Sequence, residues 1–408
     1  MMNLNRLHHL LQLLGKNYHL PDDWLQQRPE LFASAIVSIT SAEVKAMQNL
    51  ITAIESVIAL PAYQQHVLSL APETAIKDPG CQGVFFGYDF HLTPGGPKLI
   101  EINTNAGGAS FIALLEMALS KENLLAIDEP QKWQEDYFSI FLQEWQHARG
   151  SLPLTRIAIV DENPTQQYYY PEFVIFQSLF KTKGIDAVIT DPTDLTLKNG
   201  RLCLNDLEID LVYNRLTDFS LSEPAHAVLR QAYLEDTALV TPHPHGHALY
   251  ADKRNLAILS NIDLLQSWGV SSNVIEQLQQ GVPHTFIVDT KATDALWAAR
   301  KKLFFKPISG YAGKGAYRGQ SITRKTFNEI LMNDYIAQDM VAPSEQMVTT
   351  EEGTSAFKVD IRNYAYNGKV LKIAARLYRG QVTNFRTLGG GFAAVQIDRT
   401  VIPSPLVG

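Results

Sequence analysis

Three side chains with oxygen donors lie close together in the first third of the chain. Asp89 lies in the segment VFFGYDFHL, and Glu101 and Asn103 lie in the segment PKLIEIN. Glu101 and Asn103 are two residues apart, so in an extended strand both side chains point to one face. Carboxylate and amide oxygens suit Mg²⁺, which is otherwise bound by water and phosphate oxygens. Taken alone, this short motif is better read as a solvated hairpin with an asparagine turn, and it is the rest of the chain that favours the metal site.

A glycine-rich segment, FFKPISGYAGKGAYRG, provides a second candidate site. An apolar strand leads to Lys306, and Gly310, Gly313 and Gly315 follow in the next loop. Glycines allow backbone N–H groups to approach phosphate oxygens, and Lys306 adds positive charge. The segment lacks the Lys-Ser/Thr ending of the common phosphate-binding loop, so a flexible hairpin tip is the alternative.

Polar and basic residues continue in the C-terminal third. A strand followed by an acid could hold adenine and ribose through the hinge Gln338, Asp339, Met340 and Val341 and through Glu345. Three arginines in the next strands could neutralise phosphate, because planar guanidinium groups match its oxygens: Arg362, Arg376 and Arg386. Alternatively, Arg362 and Arg376 are outward-facing residues of a sheet. Their recurrence near glycine loops favours a phosphate site.

The surrounding patterns predict a mixed α/β fold in three parts. Residues 1–150 combine helices, one of them with Ser41 as its predicted N-cap, with two strands around the turn TPGGP. Residues 151–245 alternate strands and helices and predict a mainly parallel sheet, with an Asn199-Gly200 hairpin. Residues 246–408 contain antiparallel candidates, including a lid at about 268–330.

Composition narrows the class of protein. The chain has 408 residues and a net charge of −7, which disfavours nucleic acid as a partner and is compatible with an amine-bearing substrate. Cys81 and Cys203 are its only cysteines, too few for a thiolate zinc site, and they fit a reducing cytoplasm. No apolar run is long enough to span a membrane, and the N-terminal residues indicate an amphipathic helix.

Together these motifs resemble a circularly permuted ATP-grasp ligase, similar to eukaryotic-type glutathione synthetase and glutathionylspermidine synthase. In ordinary ATP-grasp chains the glycine loop precedes the D…ExN magnesium motif, whereas here Asp89…Glu101-Ile-Asn103 comes first. The resemblance runs from about residue 84 to near the C-terminus. It implies the ATP-grasp fold with an antiparallel lid and an inserted α/β substrate domain. It also implies that ATP and Mg²⁺ are used to join a carboxylate to an amine through an acyl-phosphate.

The resemblance implies a role for each matching residue. Asp89, Glu101 and Asn103 resemble the magnesium ligands. Lys253 and Lys306 resemble the phosphate-contacting lysines, residues 338–341 the adenine hinge, and Glu345 the ribose acid. The element expected to close over the phosphates and the acyl-phosphate comprises Arg362, Asn384 and Arg386, together with the glycine run Gly389, Gly390 and Gly391. Arg376 is a candidate catalytic residue through its charge alone.

In the middle part, the resemblance implies that the substrate-binding residues are Asn163, Gln167 and Arg215. Gly87 stands where relatives carry an arginine near the reacting carboxyl group, Ala106 where they carry serine, and Asp218 where they carry a tyrosine. These departures leave the acid and the amine unidentified. A kinase on the same fold and a nucleotide-binding regulatory protein are the alternative functions, and the chain could form a homodimer.

Three alternating histidines, His243, His245 and His247, form a separate pattern. Such spacing on a strand could bind zinc or nickel. Pro244 and Gly246 favour a loop instead, and a structural or substrate-loop role is the preferred interpretation.

Overall fold

A computed structural model of the protein describes residues 3–310, 315–350, 353–380, 383, 387 and 389–398. The strands are Phe32–Thr40 (β1), Phe86–Thr93 (β2), Gly96–Asn103 (β3), Arg156–Val160 (β4), Asp186–Thr190 (β5), Leu195–Lys198 (β6), Arg201–Leu204 (β7), Leu207–Glu208 (β8), Leu211–Asn214 (β9), Leu239–Thr241 (β10), Thr285–Ile287 (β11), Leu303–Pro307 (β12), Tyr317–Arg318 (β13), Tyr335–Asp339 (β14), Ser344–Thr350 (β15), Gly353–Tyr366 (β16), Lys369–Tyr378 (β17) and Gly391–Asp398 (β18). The α-helices are Leu4–Lys16 (α1), Ser41–Ile58 (α2), Pro61–Leu68 (α3), Glu73–Ile76 (α4), Ala109–Lys121 (α5), Lys132–Arg149 (α6), Tyr170–Thr182 (α7), Ala227–Leu234 (α8), Pro244–Tyr250 (α9), Arg254–Leu259 (α10), Ile262–Ser267 (α11), Ser272–Gly281 (α12), Thr293–Ala299 (α13) and Arg324–Leu331 (α14).

The largest sheet brings together the two ends of the chain. Its order is β1-β18-β17-β16-β2-β3, and β15 pairs with β16. The β1–β18 pair is parallel, and the other pairs are antiparallel. The central strand β16 therefore lies beside β2, which places Arg362 directly opposite Asp89. Glu101 faces Asp89 from the other side, on β3.

The middle part of the chain forms the predicted parallel sheet, in the order β10-β9-β4-β5. The chain passes from β4 outward to β5 and later returns to the other side of β4 as β9. The carboxyl ends of β4 and β9 therefore border a crevice, which is where open α/β sheets commonly bind ligands. Asn199 and Gly200 both have positive φ, as a two-residue hairpin turn requires, and the predicted β6–β7 hairpin is confirmed.

A third, antiparallel sheet has the order β11-β14-β12-β13. Its inner face packs Phe305 and Ala337 against Phe327 of α14. Lys306 on β12 and Gln338 on β14 lie near this core and face the large sheet, since Lys306 donates a hydrogen bond to a backbone carbonyl of β3. This small sheet therefore carries two predicted nucleotide-binding residues to the edge of the large one.

The predicted mixed α/β class and its antiparallel C-terminal region are confirmed, and two local predictions are wrong. The N-cap of α2 is Thr40, not Ser41, because the Thr40 and Glu43 side chains form a reciprocal capping box. The histidine segment is a short helix and not a loop. Pro244 occupies its first turn, and the His243 side chain caps it by accepting from the N–H of Gly246.

Within the described residues, no helix combines the length and the apolar character that crossing a bilayer requires.

Candidate active site

A buried row of charges runs across β3, β2, β16 and β17. Arg362 donates to Asp89 through Nε at 2.7 Å and through Nη2 at 2.6 Å. Arg376 donates to Asp89 Oδ2 at 2.8 Å and to Asp360 Oδ1 at 2.6 Å. Burial by itself would raise the pKa of Asp89, but the two guanidinium groups outweigh it and hold that pKa below its usual value. Asp89 is therefore a fixed anion between two fixed cations.

The predicted metal ligands lie beside this row. The Asn103 amide nitrogen is 3.0 Å from Asp89 Oδ2 and 3.3 Å from Glu101 Oε1. If the side-chain amide of Asn103 were rotated by half a turn, its oxygen would face the same space as the two carboxylates. Three oxygen donors would then be available, which suits a hard dication such as Mg²⁺. Glu101 fits this role best, because the carboxylate of Asp89 is shared with Arg362 and Arg376. In the described part of the chain, no three His, Cys, Asp or Glu side chains form a metal-binding cluster by themselves.

Lys306 is buried next to this donor set. Its ammonium donates to the Ile100 carbonyl at 2.7 Å and to Gln338 Oε1 at 2.9 Å. Burial lowers the pKa of Lys306 to about 8, although the nearby Glu101 carboxylate opposes the shift. The amide of Gln338 also donates to Thr285 Oγ1, so this predicted hinge residue bridges Lys306 and Thr285. Asp339 and Glu345 are exposed, and Met340 and Val341 are half-buried.

A cavity connects the metal donors with the second predicted lysine. Glu101, Asn103, Lys253 and Gly310 all line it, and Lys253 donates to the Gly310 carbonyl at 2.7 Å. Lys253 and Gly310 also line an adjoining cleft of about 680 Å³. The far wall of this cleft comes from the middle part of the chain, including Glu162, Asp218 and Phe219. Lys253 and Gly310 therefore border both the cavity with the predicted metal ligands and a cleft large enough for a small organic substrate.

Arg215 follows β9 at the crevice of the parallel sheet. It is 7 % exposed and donates to the Asn105 side chain and to the Tyr213 hydroxyl. Its Nη2 lies 3.9 Å from Glu172, whereas its Nε lacks a hydrogen-bond partner among the described residues. Burial raises the pKa of the neighbouring Asp161 to about 7, although Arg215 opposes the shift. Arg215 thus retains an unused donor at the expected substrate end.

The other two predicted substrate residues lie at the rim of the middle part. Asn163 is exposed, and its backbone N–H donates to Asp191 at 2.7 Å. The Gln167 side chain donates to the Glu162 carbonyl at 2.6 Å, and the Gln167 carbonyl accepts from Arg28 at 3.1 Å. Their observed contacts hold the loop after β4, and their substrate roles stay predictions.

The C-terminal glycines have a packing reason for their identity. A Cβ at Gly391 would lie 2.3 Å from the Glu30 carbonyl oxygen, and one at Gly390 would lie 2.7 Å from that of Leu377. Gly315 has a positive φ of 71° and sits beside the Tyr335 hydroxyl. Three predicted site residues lie outside the described residues: Gly313, Asn384 and Arg386.

Each of the three histidines contacts a different partner. His243 Nε2 lies 3.2 Å from the Cys81 carbonyl oxygen, and His245 Nδ1 lies 2.7 Å from that of Ala75. His247 approaches Thr104 Oγ1 at 3.1 Å and stacks on Phe219 in the cleft wall. Burial lowers the pKa of His243 to about 3 and that of His247 to about 4. This geometry supports the structural interpretation of the segment.

The departures at Gly87 and Ala106 are linked in space. A Cβ at Gly87 would lie 2.7 Å from Ala106 Cβ and 3.1 Å from Arg362 Nε. No larger side chain fits at position 87 unless Ala106 and Arg362 move. The guanidinium of Arg362 therefore occupies the space beside position 87. Asp218, the third departure, accepts from the Glu223 backbone at 2.8 Å and pairs with the buried His226.

Comparisons of structure identify similar proteins at low sequence identity. A glutathione synthetase-like effector from Globodera pallida matches at 13 % identity with a TM-score of 0.58, covering 95 % of this chain and 97 % of that one. A putative gamma-glutamylcysteine synthetase from Methylobacillus flagellatus matches at 12 % identity with a TM-score of 0.50, covering 85 % and 86 %. The chain shares the glutathione synthetase-like fold. Neither a protein-family model nor a curated protein sequence matches it.

Sequence reasoning missed two buried carboxylates of the candidate site, Asp360 and Glu172. Asp360 lies two residues before Arg362 on one strand, so the alternation could have revealed it. Glu172 is fully buried on α7 and accepts from the backbone N–H groups of Gly108 and Ser110. No local signal marks Glu172, because its partners come from a distant loop and helix.

Proposed function

We propose that this chain is an ATP- and Mg²⁺-dependent ligase that joins a small carboxylic acid to a small amine. The observation that carries the proposal is the shared cavity: the metal-type donors Glu101 and Asn103, the cationic Lys253 and the Gly310 backbone line one space that opens into the cleft. The shared fold supports the same class, and a cytoplasmic location would provide both ATP and reduced cysteines.

ATP is a substrate in this proposal, and the lysines hold its phosphates. Lys306 and Lys253 provide cationic charge on two sides of the donor set, from β12 and from the start of α10. Mg²⁺, when bound, neutralises negative charge on the phosphate oxygens. Arg362 and Arg376 add preorganised positive charge, which is most effective in a site from which water is excluded.

The substrate acid is assigned to the crevice beside Arg215. A carboxylate there would be bound by the guanidinium group of Arg215, whose buried Nε has no hydrogen-bond partner among the described residues. Attack of the substrate carboxylate on the γ-phosphate gives an acyl-phosphate and releases ADP. The amine then attacks the acyl carbon, which gives the amide and releases phosphate. The amine is assigned to the cleft, where Glu162 and Asp218 contribute carboxylates.

The test is a screen of amino acids, small peptides and polyamines in pairs, with ADP, phosphate and amide measured together. A ligase releases all three in equal amounts, and only when acid and amine are both present. A stable phosphorylated product would establish the kinase alternative. Nucleotide binding without turnover across the screen would establish the regulatory one.

A further inference from the structure

The bonding of Asp89 differs from that expected of a metal ligand. Its Oδ1 accepts from Arg362 Nε, and its Oδ2 accepts from Arg362 Nη2, Arg376 Nη2 and Asn103 Nδ2, at 2.6–3.0 Å. The residue is 2 % exposed. A carboxylate oxygen offers about two lone pairs, so Oδ2 is already fully engaged. A dication on Asp89 would also stand beside two buried guanidinium groups of the same sign.

Asp360, another buried carboxylate of the row, also accepts hydrogen bonds that hold an arginine in place. It is also 2 % exposed, and it accepts from Arg376 Nε at 2.6 Å and from Thr383 Oγ1 at 2.5 Å. Asp360 and Asp89 therefore hold Arg376 from two sides. Glu101 has a different environment, because it is partly exposed and lines the cavity with Lys253.

We propose that Asp89 is a positioning residue that fixes Arg362 and Arg376, and that it is not a metal ligand. This inference rests on the proposed function, which supplies the phosphate that the arginines meet. Contacts within the described residues use Nε and Nη2 of each arginine, which leaves each Nη1 for phosphate oxygens. Two planar guanidinium groups held in this way present charge in a fixed direction.

The test compares three variants that each replace a carboxylate with an amide: Asp89→Asn, Asp360→Asn and Glu101→Gln. Binding of Mn²⁺ in the presence of ADP is followed by electron paramagnetic resonance, and the melting temperature is measured on metal-free protein. Glu101→Gln should weaken Mn²⁺ binding by roughly tenfold or more while its metal-free melting temperature stays near that of the wild type. Asp89→Asn should keep Mn²⁺ binding within about threefold and lower the melting temperature by several degrees, as Asp360→Asn does. A loss of Mn²⁺ binding in Asp89→Asn equal to that in Glu101→Gln would overturn the proposal.

A second variant covers the case in which Asp89→Asn does not fold. Arg376→Gln removes one of the three hydrogen-bond donors on Asp89 Oδ2, and one of its two neighbouring cations, without removing the carboxylate. If this variant binds Mn²⁺ with the wild-type affinity, the result supports the positioning role of Asp89. If it binds Mn²⁺ more tightly, Asp89 is a metal ligand whose affinity Arg376 weakens in the wild type.

Failure of the proposed function gives a separate result. Wild-type protein that binds neither ADP nor Mn²⁺ would contradict the proposed function. The melting temperatures of the metal-free proteins still decide the positioning proposal. The proposal stands if Asp89→Asn and Asp360→Asn each lower the melting temperature and the double variant lowers it by less than the sum of the two. It falls if the double variant lowers the melting temperature by the full sum.

Discussion

The charged row of the large sheet and the crevice of the parallel sheet handle charge in opposite ways. In the row, Asp89, Asp360, Arg362 and Arg376 lie on neighbouring strands and are paired at 2.6–2.8 Å. In the crevice, Arg215 lies 3.9 Å from Glu172, and its Nε has no hydrogen-bond partner in the part of the chain that the structure describes. The register of the strands fixes the charges of the row before any ligand binds. Arg215 lies just after the end of a strand, and its hydrogen bonds are incomplete among the described residues.

The difference has an energetic meaning. Buried charges that are paired and hydrogen-bonded can be kept at modest cost, but a buried charge that loses its partner is strongly destabilising. The row is therefore suited to a task that is the same for every substrate, such as phosphate binding. The crevice is suited to recognition, because a substrate can complete its hydrogen bonds. Four predictions test this comparison.

The largest expected effect is on turnover and comes from Glu101. Glu101→Gln removes a charged oxygen donor without disturbing packing, so kcat should fall by about a hundredfold to a thousandfold or more. The measurement is amide formation at saturating substrates for a pair found in the screen. Glu276→Gln, an exposed carboxylate on α12, is the matched control and should retain wild-type kcat. Full activity of Glu101→Gln would contradict the metal assignment.

The second prediction compares the stability of the two regions. Asp360→Asn removes a buried negative charge that is paired with Arg376 and should lower the free energy of unfolding by about 3 kcal/mol or more. Asp161→Asn should stabilise the protein at pH 8, because a carboxyl whose folded pKa is raised to about 7 resists ionisation. Stability from Asp161 is present below pH 4 and is lost as pH rises through 7, by about 2–4 kcal/mol when partial exposure is allowed for.

Denaturant unfolding of both variants at pH 5 and pH 8 checks this pair. The stabilisation in Asp161→Asn should shrink at pH 5, where the wild-type carboxyl is mostly protonated in the folded state. If Asp360→Asn and Asp161→Asn lowered the free energy of unfolding equally, the proposed difference between the row and the crevice would be wrong.

The third prediction concerns the charge of Lys306. Lys306→Met should weaken ATP binding by about tenfold to a hundredfold, as expected for loss of a charge-assisted contact. Because the pKa of Lys306 is lowered to about 8, wild-type affinity for ATP should decline as pH rises above 8. Calorimetric titration of ATP at pH 7 and pH 9 measures both effects. Lys302→Met, which changes an exposed lysine near β12, is the control. A pH dependence that persists in Lys306→Met would assign it to another group.

The smallest effect is expected from Arg215→Lys. A lysine keeps the charge but cannot reproduce the planar set of donors, so KM for the acid should rise by about tenfold. ATP affinity should stay near the wild-type value, since Arg215 lies on the parallel sheet. An unchanged KM for the acid would show that the crevice does not bind it, even if the ligase function stands.

The sequence by itself determined the elements and much of the candidate site. Periodicity and turn residues predicted several helices, the Asn199-Gly200 hairpin and the alternating strands and helices of the middle part, because these depend on neighbours within a few residues. The histidine helix was missed. The spacing of Glu101 and Asn103 placed both on one face of β3, and their side chains are in contact. The glycine run could be located but not explained: the fit of Gly391 depends on the backbone at Glu30.

Only the tertiary structure decided which charges meet. Asp89 and Arg362 are 273 residues apart in the chain, and their pairing follows from the register of β2 against β16. The burial of Lys306 and Asp161, and hence their pKa values, likewise depends on segments distant in sequence. Local patterns specify what each residue can do, but long-range register and desolvation determine what it is bound to, and neither is written in any short segment.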